Sequence, residues 1–135
     1  MVEEFAGEWI DSVFENMDEY LKEVGIGFLI RKLAKTIKDK CIMKIEGDKV
    51  TLITESTFKN HTISWVMNEK TLINTIDGRK HYSIFTYENG KMIENQFPYN
   101  KGDKISTITR HIENGKLVIT MECNGVKAIA TYTRA

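Results

Sequence analysis

The chain has 135 residues, enough for one domain and too few for two. Its hydrophobic fraction is 41%, its charged fraction is 28%, and 19 basic residues balance 19 acidic ones. A formal net charge of zero argues against a nucleic-acid partner, because phosphate contacts supply most of the affinity of such binders.

The opening segment, Met1-Val2-Glu3-Glu4-Phe5, is acidic and has neither the basic nor the apolar region of a secretory leader. No run approaches the roughly 18 apolar residues of a membrane span. The longest, Gly27-Phe28-Leu29-Ile30, is followed by charges. A soluble, cytoplasmic protein is expected, with Cys41 and Cys123 as free thiols. Phe5–Val13 is expected as a first strand. A helical lid over about residues 16–38 follows. Met17, Tyr20, Leu21 and Val24 keep helical spacing, Asn16 with Glu19 reads as an N-cap pair, and Gly25 suits a left-handed helix end. Ile26, Leu29, Ile30, Leu33, Ala34 and Ile37 form the apolar stripe of a second helix, against Arg31, Lys32, Lys35 and Lys38 on its other face.

From residue 40 the pattern becomes short strands between turn signals. Gly47, Asn68-Glu69, Asp77-Gly78, Asn89-Gly90, Lys101-Gly102-Asp103, Asn114-Gly115 and Asn124-Gly125 recur at a near-regular spacing. Asn60-His61-Thr62 fits a glycosylation sequon but, without a leader, reads as the start of a strand. The expected fold is all-β, with ten antiparallel strands closing an up-and-down barrel under a helix-turn-helix lid, as a single domain over 1–135. Ten strands enclose more room than side chains need to fill.

Alternation along the last strands suggests what that room holds. Ile108, Arg110 and Ile112 share a face, as do Val126, Ala128, Ala130 and Tyr132, and as do Leu117, Ile119, Met121 and Cys123. If those faces point inward, Arg110 is a buried guanidinium, which is costly unless paired. A ligand carboxylate could pair it, and the Tyr132 phenol could add a donor. If they point outward, Arg110 is simply solvated. No nucleophile elbow, zinc-helix or phosphate-loop motif occurs, and His61, His81 and His111 lack metal-ligand spacing, so no enzyme, cofactor or metal is expected.

These residues resemble the intracellular lipid-binding proteins, the fatty-acid-binding and cellular retinoid-binding family. Phe5-Ala6-Gly7-Glu8-Trp9 is similar to its F-x-G-x-W opening, and Tyr20–Phe28 to its helix-turn-helix. Glu55-Ser56-Thr57-Phe58-Lys59-Asn60 resembles its E-S-T-F-K-N portal motif, Asp77-Gly78-Arg79 its D-G-R turn, and Tyr132-Thr133-Arg134-Ala135 its Y-x-R-A end. The resemblance spans essentially the whole chain. It implies a carrier of a long-chain fatty acid or related carboxylate, with retinoid or bile-acid carriage as an alternative. It maps the carboxylate anchors onto Arg110 and Tyr132, with Gln96 helping to complete the shell. It places Ala130 where the family has a second arginine. It implies a lining of Met17, Tyr20, Ile26, Ala34, Ile37, Thr54, Phe58, Ile76, Asp77, Arg79, Met121 and Ala130. For the lid residues the competing reading is packing against the barrel, for Asp77 turn formation, and for Trp9 structural core. A monomer is expected, with the cytoplasm as its place and the nucleus as a second destination. Lys22, Arg31 and Lys32 could touch anionic membrane, or be an ordinary solvated face. A surface-acting interaction module with an incidental cavity is the reading from another class.

Overall fold

A computed structural model describes residues 2–135; Met1 lies outside the described residues. A short 3-10 turn, Val2–Phe5, leads into β1 (Gly7–Glu15), α1 (Met17–Glu23) and α2 (Phe28–Ala34). Nine further strands follow: β2 (Asp39–Glu46), β3 (Lys49–Ser56), β4 (His61–Val66), β5 (Thr71–Asn74), β6 (Lys80–Glu88), β7 (Lys91–Pro98), β8 (Thr107–Glu113), β9 (Lys116–Cys123) and β10 (Val126–Arg134). They form one antiparallel sheet in the order β4-β3-β2-β1-β10-β9-β8-β7-β6-β5.

Neighbours in the sheet are neighbours in sequence, except where β1 meets β10. The meander follows from its turns. Asn89-Gly90, Asn114-Gly115 and Asn124-Gly125 all have two successive positive φ angles, the primed geometry whose twist matches the strands it joins. The sheet's two edges, β4 and β5, share no backbone ladder. Side chains bridge them instead. His61 Nε2 lies 2.6 Å from the Asn74 carbonyl oxygen, and the Trp65 ring stacks on Phe85 of β6 at 3.8 Å.

The main core gathers Phe5, Trp9, Met43, Val50, Trp65, Phe85, Met92 and Leu117. Trp9 is wholly buried and donates from Nε1 to the Phe5 carbonyl at 2.9 Å. Arg134 lies over its ring at 4.1 Å and donates to the carbonyls of Ala6 and Glu4, tying β10 to the start of the chain. Trp9 is core, as the competing sequence reading held. A second cluster, Tyr20, Val24, Ile26, Cys123 and Ala128, seats α1 on the barrel.

Three local expectations need correction. The first strand starts at Gly7 rather than Phe5, because the preceding residues wind into a 3-10 turn, and it bulges where Asp11 takes φ 54°. Asn16 does not cap α1: its backbone is left-handed, and its amide donates across to the Lys127 carbonyl at 2.9 Å. The second helix ends at Ala34, so Ile37 follows it outside the helix. Its stripe is also not one face. Ile26 packs in the α1 cluster, Leu29 is 78% exposed, and Ile30, Leu33 and Ala34 look into the space below. Gly25, with φ 100°, makes the tight reversal expected of it.

Candidate functional site

The strands alternate as expected, and they place Arg110 inside. It is 7% exposed, on a face of β8 shared with Ile108 and Ile112. On the inward faces of β3, β4 and β9, Leu52, Ile63, Ile119 and Met121 keep partial exposure. The barrel interior is therefore open rather than filled.

Arg110 is not unpaired. One terminal nitrogen donates to Glu94 Oε1 at 3.2 Å, and Glu94 is 3% exposed. The expectation that this guanidinium lacks a partner without a ligand is overturned. Glu94 lies on the inward face of the adjacent β7, two residue pairs along from Arg110 in the ladder and so on the same face, and the chain supplies the carboxylate itself. The pair anchors a polar network. Ser83 donates to Glu94 Oε2 at 2.8 Å and lies 3.0 Å from His81 Nδ1. Gln96 donates to Glu94 Oε2 at 3.3 Å and accepts from Ser106 through both its backbone N–H and its hydroxyl. Ser106 also meets the Tyr20 hydroxyl at 2.6 Å. Arg110 Nε has no hydrogen-bond partner among the described residues, and the guanidinium lies 5.8 Å from the Phe85 ring centre.

Tyr132 is likewise engaged. Its hydroxyl donates to Asp39 Oδ2 at 2.7 Å, while Asp39 Oδ1 is buried without a partner among the described residues. Burial, with the Cys41 and Asp39 groups beside it, holds the phenol well above its ordinary pKa. Burial and then the Asp39 charge push the Cys41 thiol up to about 11. Both groups stay neutral at physiological pH. Ala130 is buried on the inward face of β10, two residues before Tyr132.

Under the lid lies a cavity of about 560 Å³. Met17, Ala34, Ile37, Phe58, Ile76 and Asp77 line it, together with Phe14, Leu21, Ile30 and Leu33, which sequence reasoning did not assign to it. Tyr20, Ile26, Thr54, Met121, Ala130, Gln96, Arg110 and Tyr132 lie elsewhere in the interior or core, so mouth and polar end are separate parts of the barrel. Arg79 borders a second opening, near His81 and Lys104. Its guanidinium grips Asp77 through two nitrogens, at 3.0 and 3.1 Å. Burial works to raise the Asp77 carboxyl, but Arg79 and Thr75 outweigh it and hold the group below the usual carboxylate range. Asp77 thus both forms its turn and edges the cavity.

Arg31 is corrected too. It is not a free cation of an outer face but a brace, donating to the Ile26 carbonyl at 2.7 Å and to Asp18 at 3.3 Å, and it borders the cavity. Among the described residues no group of three or more His, Cys, Asp or Glu could hold a metal ion. Both cysteines are free and buried.

Burial, reinforced by the Arg79 charge, lowers the His81 pKa against the opposing pull of Glu94. The unfolded chain therefore takes up this proton near pH 6.5 while the folded chain still resists it. Folded stability is retained above that pH and falls as the pH drops toward the depressed folded value. Urea midpoints at pH 7.5 and 5.5 should differ less for His81→Gln than for the native chain. Equal differences would mean that His81 does not carry this slope.

The Lipocalin / cytosolic fatty-acid binding protein family matches residues 6–135. The chain belongs to that family. Fatty acid-binding protein homolog 6 of Caenorhabditis elegans is 40% identical over 134 residues, covering 99% of both chains. The apo structure of lipid binding protein 8 from the same organism shares 34% identity and superposes with a TM-score of 0.92 over 100% of this chain and 98% of that one. A Schistosoma mansoni fatty acid binding protein in complex with arachidonic acid is 27% identical, with a TM-score of 0.90 over 99% of this chain and 98% of that one. As a family member the chain is a binding protein rather than an enzyme. Its ten strands and two-helix lid are the architecture of these relatives.

Proposed function

We propose that the protein is a cytoplasmic carrier of a long-chain fatty acid or similar lipid, held inside the barrel. The observation that carries this reading is an open, apolar interior entered beneath the lid, with one buried arginine at its polar end. The cavity volume of about 560 Å³ falls within the roughly 300–1,000 Å³ of small-molecule sites. A sixteen-carbon tail contributes about 12 kcal/mol gross, at roughly 0.8 kcal/mol for each CH₂. Association and ordering costs leave an affinity in roughly the micromolar to nanomolar range. The tail therefore supplies most of the binding, and Arg110, with Tyr132 and Gln96 around it, supplies orientation.

Oleate titrated into delipidated protein should bind at one site. Arg110→Gln should weaken oleate by about tenfold, since it strands Glu94 as an uncompensated negative group beside the incoming acid. A protein that binds no oleate and no other long-chain lipid would refute the carrier reading. Unchanged oleate affinity in Arg110→Gln would remove the arginine from the site.

A second reading concerns delivery. Phe28 and Leu29 are 67% and 78% exposed at the start of α2, beside the exposed Lys32, with Lys22 exposed on α1. Apolar residues flanked by lysines suit transient contact with an anionic bilayer. The carrier acts as a monomer, with the nucleus as a second destination. Lys22→Glu/Lys32→Glu should slow oleate transfer to anionic vesicles while leaving transfer to neutral vesicles unchanged. Equal rates on anionic vesicles would assign these lysines to solvation alone.

A further inference from the structure

His81 joins the interior network to the outside. It is 5% exposed on the inward face of β6, and it lines the second opening, of about 650 Å³, between the α1–α2 turn and the β7–β8 loop. Toward the interior its Nδ1 lies 3.0 Å from Ser83 Oγ, and Ser83 gives its single proton to Glu94 Oε2 at 2.8 Å. Nδ1 must therefore carry a proton of its own and donate to the Ser83 oxygen, which leaves Nε2 as the basic nitrogen. Glu94 continues the chain to Arg110, which donates to it from one terminal nitrogen. The Nε and the other terminal nitrogen of Arg110 have no hydrogen-bond partner among the described residues, so a ligand carboxylate can be received there while Glu94 stays in place.

Two carboxylates then share one guanidinium, and like charges in a buried site are costly. The nearby cations are engaged elsewhere. Arg79 grips Asp77 through two nitrogens, Lys104 pairs with Glu23 at 3.4 Å, and Lys80 lies over the Tyr99 ring. Asp103, at the same opening, accepts from the Asn100 N–H, and the Tyr20 phenol, 2.6 Å from Ser106, is kept neutral by burial. Across the ladders His81 faces Ile73 of β5 and Pro98 of β7, which carry no charge. We infer that His81 supplies the missing cation: binding of a fatty acid draws one proton from solvent onto His81 Nε2, and the imidazolium, one hydroxyl away from Glu94, offsets the added negative charge. In the empty barrel the ring is neutral and able to gain that proton, because burial and the Arg79 charge depress its pKa against the pull of Glu94. Acid affinity is then greatest at low pH and is lost as the pH rises through the value His81 takes in the complex. The inference rests on the carrier reading and adds a proton to it.

The test follows the His81 ring C–H proton by NMR against pH, in delipidated protein and in its complex with laurate, whose carboxyl stays ionised above about pH 6. Oleate takes the place of laurate if the shorter tail does not bind. The His81 midpoint should rise by about one pH unit in the complex. Added burial alone would lower it. Binding curves between about pH 6 and about pH 8 give a second reading. The affinity of the native chain should fall about fivefold across that range, and that of His81→Gln by less than about twofold. Circular dichroism checks that the variant is folded, and the NMR midpoint needs no variant. A midpoint unmoved or lowered by the bound acid, or an equal pH slope in His81→Gln, overturns the inference and leaves the carrier intact. If neither lipid binds at any pH, the carrier reading fails and the inference falls with it.

Discussion

Glu94→Ala is expected to lower the unfolding free energy by about 3–5 kcal/mol, the cost of leaving a buried charge without its partner. Arg110 has little alternative. It is almost wholly inside, its Nε is already without a partner, and what lies near it is the face of Phe85. Ser83 and Gln96 would lose their shared acceptor in the same step. Removing both charges is a different matter. In Glu94→Leu/Arg110→Met, apolar groups of similar length replace the pair, and stability should return to within about 1 kcal/mol of the native value or exceed it. Denaturant midpoints of the two single variants and the double would complete the cycle. If the single and double variants are equally unstable, the pair does not govern this part of the interior. The result also bears on ligand binding, since whatever destabilises the empty site by freeing Arg110 favours an acid that can pair with it.

Trp9→Ala should cost a further large amount, about 3–5 kcal/mol. The ring is wholly buried, so its removal leaves a cavity between β1 and the rest of the core. It also removes the hydrogen bond to the Phe5 carbonyl and the surface on which Arg134 rests. Trp9→Phe keeps the apolar ring and should lose roughly half as much. Thermal unfolding followed on Trp65 fluorescence would read both. A loss below about 1 kcal/mol for the alanine variant would show that the core reorganises around the gap.

The parts of the fold that were legible share a cause. Asn-Gly pairs demand positive φ and occur where the chain turns, so the meander could be drawn from punctuation alone. The inward faces of β8, β9 and β10 carry mainly apolar residues, and period-two alternation exposed them, together with Arg110. On β7 the same rule gives no such signal. Its inward set is Met92, Glu94 and Gln96, and its outward set includes Ile93 and Phe97, so polarity does not separate the faces. That is why the partner of Arg110 went unread. Asp39 was hidden for a similar reason, as a charged residue at the very start of a strand. The available clue was the register: once β7 and β8 are paired, Glu94 falls beside the arginine. The second helix misled because its apolar residues exceed what the lid can cover, which leaves Phe28 and Leu29 outside.

The seam between β4 and β5 has a mechanical consequence. Elsewhere the wall is stitched by backbone ladders, but among the described residues this join is held by a ring stack, a histidine contact and the Asn68 N–H donating to the Phe85 carbonyl at 2.8 Å. Widening the barrel by parting this join sacrifices a few side-chain contacts, whereas widening it anywhere else would tear a row of peptide hydrogen bonds. The girth of the container is therefore least costly to change at this join, where the Trp65–Phe85 stack, rather than a strand ladder, resists opening.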